Sequence, residues 1–163
     1  MSSSLNSLLI FKFYFYQKKI KIMHSVKTIW KNKMAFDSQV DNHTIRIDTN
    51  GELGDDSGPS PKKLLLSSLA GCTGMDVVAL LKKMRVKISG FEIDIEADLT
   101  EEHPKVYTEI RLVYRFFGTD LKREKIEKSV QFSQERYCGV SEMLRANSPV
   151  NYRIEYEEEE VTV

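Results

Sequence analysis

The segment from Leu64 to Met84 carries no proline and is rich in leucine, alanine and methionine, a composition that predicts one long α-helix. Ser60 stands where an N-cap belongs, and Pro61 occupies the first helical position, where its missing N–H costs nothing. Leu65, Leu66, Leu69, Ala70, Met75, Val77, Val78, Leu80 and Leu81 go nearly all round this helix. That spread predicts burial on most sides and a central place in the fold. Lys82, Lys83 and Arg85 suit its carboxyl end, where the dipole favours positive charge.

The flanking sequence reads as strands. From Ser25 to Asp48 apolar residues recur mostly at every second position, which predicts two or three strands in a meander with a turn at Asp41-Asn42-His43. Gly51, Gly54, Asp55, Asp56, Ser57, Gly58, Pro59, Ser60 and Pro61 then form a loop, the densest turn chemistry in the chain. Beyond the helix, Ile88 to Leu99 and Val106 to Phe116 alternate apolar with charged or polar residues, predicting a long hairpin with one wet face. Helical spacing returns from Leu121 to Tyr137 and again from Val140 to Leu144, with Cys138 and Gly139 at the junction. A last alternating strand runs from Val150 to Tyr156, and Glu157 to Glu160 reads as a solvated run. The fold class expected is therefore α+β.

At 163 residues, with 41% hydrophobic and 29% charged residues, the chain has room for one core and no sign of extended disorder. Lys+Arg and Asp+Glu both total 24. With no net field and no basic stripe interleaved with aromatics, nucleic acid is not an expected partner. Leu8 to Tyr16 is apolar, but Lys12 interrupts it, it falls far short of the ~20 residues of a spanning helix, and no small-residue cleavage site follows. Neither export nor membrane anchoring is expected, and the protein is placed in the cytoplasm. Met23 sits just before the alternation begins, so residues 1–22 are read as a non-native or disordered extension, residues 23–157 as the domain and 158–163 as an acidic tail.

The chain's two cysteines cannot form a secreted disulfide framework, so each is a packing residue or a reactive thiol. Zinc would want about four Cys or His ligands, and His24, His43 and His103 lie scattered, so no structural metal is expected. Cys72 lies in Leu69-Ala70-Gly71-Cys72-Thr73-Gly74-Met75-Asp76, a small-residue patch on a bulky helix. Its two glycines cost the helix roughly 1 kcal/mol each, a cost consistent with something coming close. Cys138 stands where one helix ends and the next begins, a position at which unpaired N–H groups stabilise a thiolate; Arg136 would add to this if it folded toward the sulfur. Tight packing of either thiol remains open on these residues alone. So does the approach of Asp76 or Glu142 to the sulfurs.

Gly58-Pro59-Ser60-Pro61 leading into Leu64-Leu65-Leu66, then Ala70-Gly71-Cys72-Thr73-Gly74-Met75-Asp76-Val77-Val78, then Tyr137-Cys138-Gly139-Val140-Ser141, in this order and spacing, resemble the OsmC/Ohr family, nearest its OsmC-like branch. The resemblance covers about Val26 to Tyr156. It implies antiparallel sheets around the long central helix and an intertwined homodimer with active sites at the subunit interface. It implies a two-cysteine reduction of organic hydroperoxides or hydrogen peroxide, with Cys72 as peroxidatic thiolate and Cys138 as resolving thiol. An external dithiol, a lipoyl group or another small thiol, would restore both sulfurs, and no bound cofactor is required. Where enzymatic members carry a glutamate that pairs with an arginine from the amino-terminal strands, this chain has Lys63, and Arg46 is the arginine available in those strands. A cation at Lys63 would favour the Cys72 thiolate if it were near. The alternative is a non-catalytic dimeric binding protein whose Lys63 recruits an anionic small ligand.

Overall fold

A computed structural model describes residues 23–158, which fall into two units, one ending at Gly58 and the other starting at Pro59. The extension expected over 1–22 and most of the acidic tail lie outside the described residues.

In the first unit the period-two segment forms β1 (Lys27–Asn32), β2 (Ala35–Val40) and β3 (His43–Ile47), an antiparallel meander in that order. Asp41 turns the second corner with φ of 51°, a conformation that aspartate tolerates better than most residues. The loop that follows is organised around Asp48, which is buried. Its carboxylate accepts hydrogen bonds from the backbone N–H groups of Thr49, Asp55 and Ser57 and from the Ser57 hydroxyl. Those donors hold the Asp48 carboxyl down at about 2, the Ser57 hydroxyl most of all.

The second unit holds α1 (Pro61–Lys83), β4 (Gly90–Leu99), β5 (Tyr107–Gly118), α2 (Arg123–Phe132), a π-helical turn (Ser133–Tyr137), α3 (Gly139–Arg145) and β6 (Val150–Glu158). Ser60 has the extended N-cap conformation, although its side chain makes no capping bond. Past the other end of α1, Arg85 adopts φ of 55° and Val86 N–H reaches back to Leu81 O, closing the helix in a left-handed turn.

β4 and β5 pair antiparallel over their whole length, with Phe91, Ile93, Ile95 and Ala97 facing inward and Glu92, Asp94, Glu96 and Asp98 facing out. Arg115 bridges Glu92, Asp94 and Glu155 across the wet face. The sheet order is β4-β5-β6, and here the structure departs from an all-antiparallel arrangement: β6 runs parallel to β5. A parallel neighbour needs a long crossover, and α2, the π turn and α3 supply it. The β6 strand also takes in Glu157 and Glu158 of the expected solvated run, and both stay exposed.

Leu69, Val77 and Leu81 of α1 pack with Ile110, Leu112, Tyr114, Phe116, Ile126 and Val130 in the core. The expectation of burial on most sides of α1 does not hold within the single chain. Its buried residues are Leu69, Thr73, Val77 and Leu81, one stripe at four-residue spacing, while Leu65, Met75 and Val78 are exposed. By length and composition α1 is apolar enough to cross a membrane, but that buried stripe makes it the core helix of this unit.

Candidate functional site

Cys72 projects from the middle of α1, one residue before the buried stripe position Thr73, and is half-buried. Asp76 follows four residues later, which puts both side chains on one face, a turn apart. Cys138 is buried and is the N-cap of α3, its sulfur accepting a hydrogen bond from Ser141 N–H at 3.4 Å. The two sulfurs and a carboxylate oxygen of Asp76 all lie within 4.8 Å of one another, and both cysteines are free thiols. The fold thus joins residues that lie 66 positions apart in sequence.

What joins them is a buried polar network. The Thr73 hydroxyl meets the Tyr114 hydroxyl at 2.6 Å and the Ser133 hydroxyl at 2.8 Å. Gln134 donates through Nε2 to Tyr114 Oη and Thr73 Oγ1, and its Oε1 accepts from Ser141 Oγ and Arg145. Ser133 Oγ also lies 3.1 Å from Asp76 Oδ2, donating to the carboxylate. Among the described residues no buried side-chain nitrogen or oxygen lacks a hydrogen-bond partner, and this network locks the π turn onto α1 beside Cys72. Burial, more than any other influence, pushes the Tyr114 hydroxyl up to about 12, which keeps it protonated and a donor or acceptor at neutral pH.

Cys72 titrates above the usual thiol range. Burial is the largest cause, and Cys138 and the Asp76 carboxylate push the same way, against the backbone N–H of Val140, which favours the thiolate. The remaining candidates are elsewhere. Lys63 is exposed, and its position nine residues before Cys72 places it about 13.5 Å back along α1 and on the opposite face, so it does not stabilise the Cys72 thiolate of its own chain. Arg136 does not fold toward Cys138; its guanidinium lies over the Phe132 ring, 5.9 Å from the centroid. Arg46 is paired with Asp37 across the β2–β3 ladder. Glu142 faces Arg145 at 3.6 Å, whereas Asp76 is the carboxylate that reaches the sulfurs.

Thr73, Tyr114, Ser133, Gln134 and Val140 were not found from sequence. The available signal was the pair Ser133-Gln134, polar and now seen to be buried, in a stretch that otherwise reads as amphipathic helix.

The sequence profile of the OsmC-like protein family matches residues 54–153, which takes in the whole of this site. Protein YhfA of Escherichia coli K12 is 35% identical over 115 residues, 71% of this chain and 82% of that one. A hypothetical protein from Aquifex aeolicus VF5 superposes with a TM-score of 0.71 at 27% identity, covering 84% of this chain and 99% of its own. The organic hydroperoxide resistance protein OhrB of Bacillus subtilis shares the fold at a TM-score of 0.60 and 21% identity, over 82% of this chain and 98% of that one.

Proposed function

This chain belongs to the OsmC-like protein family, and from that premise we propose that it is a thiol peroxidase that reduces organic hydroperoxides or hydrogen peroxide with Cys72 and Cys138, as part of an oxidative stress response. The observation that carries this reading is the placement of two free sulfurs from separate elements within 4.8 Å of each other. The name of the Bacillus subtilis neighbour supports the substrate class.

The Cys72 thiolate attacks the terminal peroxide oxygen, the O–O bond breaks, and the departing alkoxide takes a proton to leave as alcohol, or as water from hydrogen peroxide. Cys72 becomes a sulfenic acid. The Cys138 sulfur then attacks Cys72 and water leaves with the hydroxyl, so two thiols and one hydroperoxide yield a disulfide, an alcohol and water. An external dithiol, a lipoyl group or another small thiol, regenerates both thiols by exchange. A reducing cytoplasm, where thiols are kept reduced, suits this cycle.

A homodimer completes the reading. The exposed side chains of Met75 and Val78, with Ala70, Gly71, Gly74, Phe91 and Ile93, line an apolar groove of about 570 Å³ between α1 and β4. A second copy docking here would give α1 the burial its sequence calls for.

Reduced protein treated with stoichiometric cumene hydroperoxide, followed by intact mass and free-thiol titration, tests the proposal. The wild type is expected to lose both thiols and two hydrogens in mass, and Cys138→Ser to accumulate sulfenic or overoxidised Cys72. Survival of both thiols in excess peroxide would overturn it in favour of a binding protein using the same apolar groove.

A further inference from the structure

The cluster at the sulfurs contains more than disulfide chemistry needs. We propose that Cys72, Cys138 and Asp76 form a three-donor site for a thiophilic divalent cation, zinc in particular, with a fourth position open to water or a small ligand. This goes beyond the redox reading and does not depend on peroxide turnover, since it requires only reduced thiols and the carboxylate.

Geometry is the first argument. The two sulfurs and the Asp76 oxygen are mutually within 4.8 Å. With Zn–S near 2.3 Å and Zn–O near 2.0 Å, tetrahedral donors sit roughly 3.5 to 3.8 Å apart, so a contraction of about 1 Å closes the set. Cys72 and Asp76 stand one turn apart on the same rigid helix, and Cys138 reaches them from the start of α3. Three protein donors and one free position is the arrangement of a reactive zinc site, whereas a structural site closes all four positions.

The surrounding hydrogen bonds are the second argument, because ligand atoms need orienting partners. Ser133 Oγ donates to Asp76 Oδ2 at 3.1 Å, which orients the carboxylate beside the sulfurs. Ser141 N–H donates to the Cys138 sulfur, and Val140 N–H to the Cys72 sulfur. Each of the three donor residues therefore already holds a contact that would stabilise it as an anion.

Donor chemistry selects the cation. Two thiolates and one carboxylate favour zinc, cobalt or cadmium over magnesium, calcium or manganese, which prefer all-oxygen sets. Binding displaces both thiol protons, and a dication with three anionic ligands leaves the site with one net negative charge. The bound cation occupies both sulfurs, so it shields them from oxidation. When an organic hydroperoxide takes two electrons from the pair and two protons from solvent, the products are the disulfide, alcohol, water and the free cation.

The test uses the reduced full chain without oxygen, titrated with Co²⁺ and followed by absorption, with folding checked by circular dichroism. One equivalent per chain is expected to produce a thiolate-to-cobalt charge-transfer band and the intense visible bands of tetrahedral cobalt, both removed by Zn²⁺. Loss of even an outer partner typically costs a metal site about 10- to 100-fold in affinity, so Asp76→Asn should weaken cobalt binding by at least about tenfold. Cys72→Ser and Cys138→Ser should each reduce the charge-transfer band. Absence of that band while both thiols titrate as free would overturn the proposal, and so would wild-type affinity in folded Asp76→Asn. Because no peroxide is present, failure here leaves the peroxidase reading standing, and cobalt binding by a protein inert to peroxide would separate the two in the opposite sense.

Discussion

The hydroxyls of Thr73 and Ser133 meet at 2.8 Å across 60 residues of sequence, tying α1 to the π-helical turn one position beyond Cys72. The same Thr73 oxygen contacts Tyr114 Oη and accepts from Gln134 Nε2. The placement of Cys138 beside Cys72 therefore depends on a residue with no chemistry of its own.

Thr73→Val keeps the shape and removes the oxygen, leaving buried partners with fewer bonds than they had. The expected cost is about 1–3 kcal/mol, read as a lower urea midpoint at unchanged slope, and Thr73→Ser should recover most of it. Closure of the Cys72–Cys138 disulfide under peroxide should slow in parallel. An unchanged midpoint would mean that apolar packing alone holds the π turn.

The pH dependence of Cys72 follows from its neighbours. Burial, Cys138 and Asp76 raise its titration, so alkylation by iodoacetamide in Cys138→Ser, monitored by mass, should show a midpoint above the usual thiol value. Asp76→Asn removes one of those negative charges and should move that midpoint down, making Cys72 react faster at neutral pH. A group whose folded value is raised contributes stability that is complete below its unfolded value and is lost as pH rises through the folded one, so the wild type should lose stability on the alkaline side. A midpoint below the usual value would place a cation at the sulfur that these neighbours do not supply.

Local rules reached much of this fold and part of its site. The limits of α1, the meander and the β4–β5 hairpin follow from periodicity and turn residues, because those signals sit within a few positions of one another. The parallel pairing of β6 was hidden, since strand direction is decided by where a crossover packs. The exposed flank of α1 was misread for the same reason: nine apolar residues describe what the helix must bury, without saying what covers it. Both cysteines were visible as candidates. Asp76 was visible only as a residue four positions from Cys72, Thr73 had no local signature, and Ser133 and Gln134 showed only as a polar pair in an amphipathic stretch. Lys63 was weighed by charge, yet its position half a turn out of phase with Cys72 is helix geometry and was available from the spacing alone.

Asp48 gives the amino-terminal unit a distinct acid response. Its carboxyl is held at about 2, below its ordinary 3.8, chiefly by the Ser57 hydroxyl and then by backbone N–H groups. A depressed value contributes stability that is present above the unfolded value and disappears as pH falls through the folded one. Thermal melts should therefore fall between about pH 4 and pH 2, and that segment of the profile should flatten in Asp48→Asn. A profile unchanged by the substitution would assign the acid transition to other carboxylates.

The two glycines near Cys72 make opposite demands, and this tests whether a second copy packs on α1. A Cβ at Gly74 would meet Ile93 Cδ1 at 3.1 Å, so close approach of β4 explains that glycine within the chain. A Cβ at Gly71 would meet nothing within 4 Å. Alanine there should raise intrinsic helix stability by about 1 kcal/mol, and the chain's own contacts give no reason to avoid it. If a second copy packs on this face, Gly71→Ala should weaken the dimer in sedimentation equilibrium, and Val78→Glu, which puts a charge on the same groove, should shift it to monomer while leaving the secondary structure intact. If both variants sediment as the wild type does and Gly71→Ala is simply more stable, the exposed face of α1 is not the dimer interface.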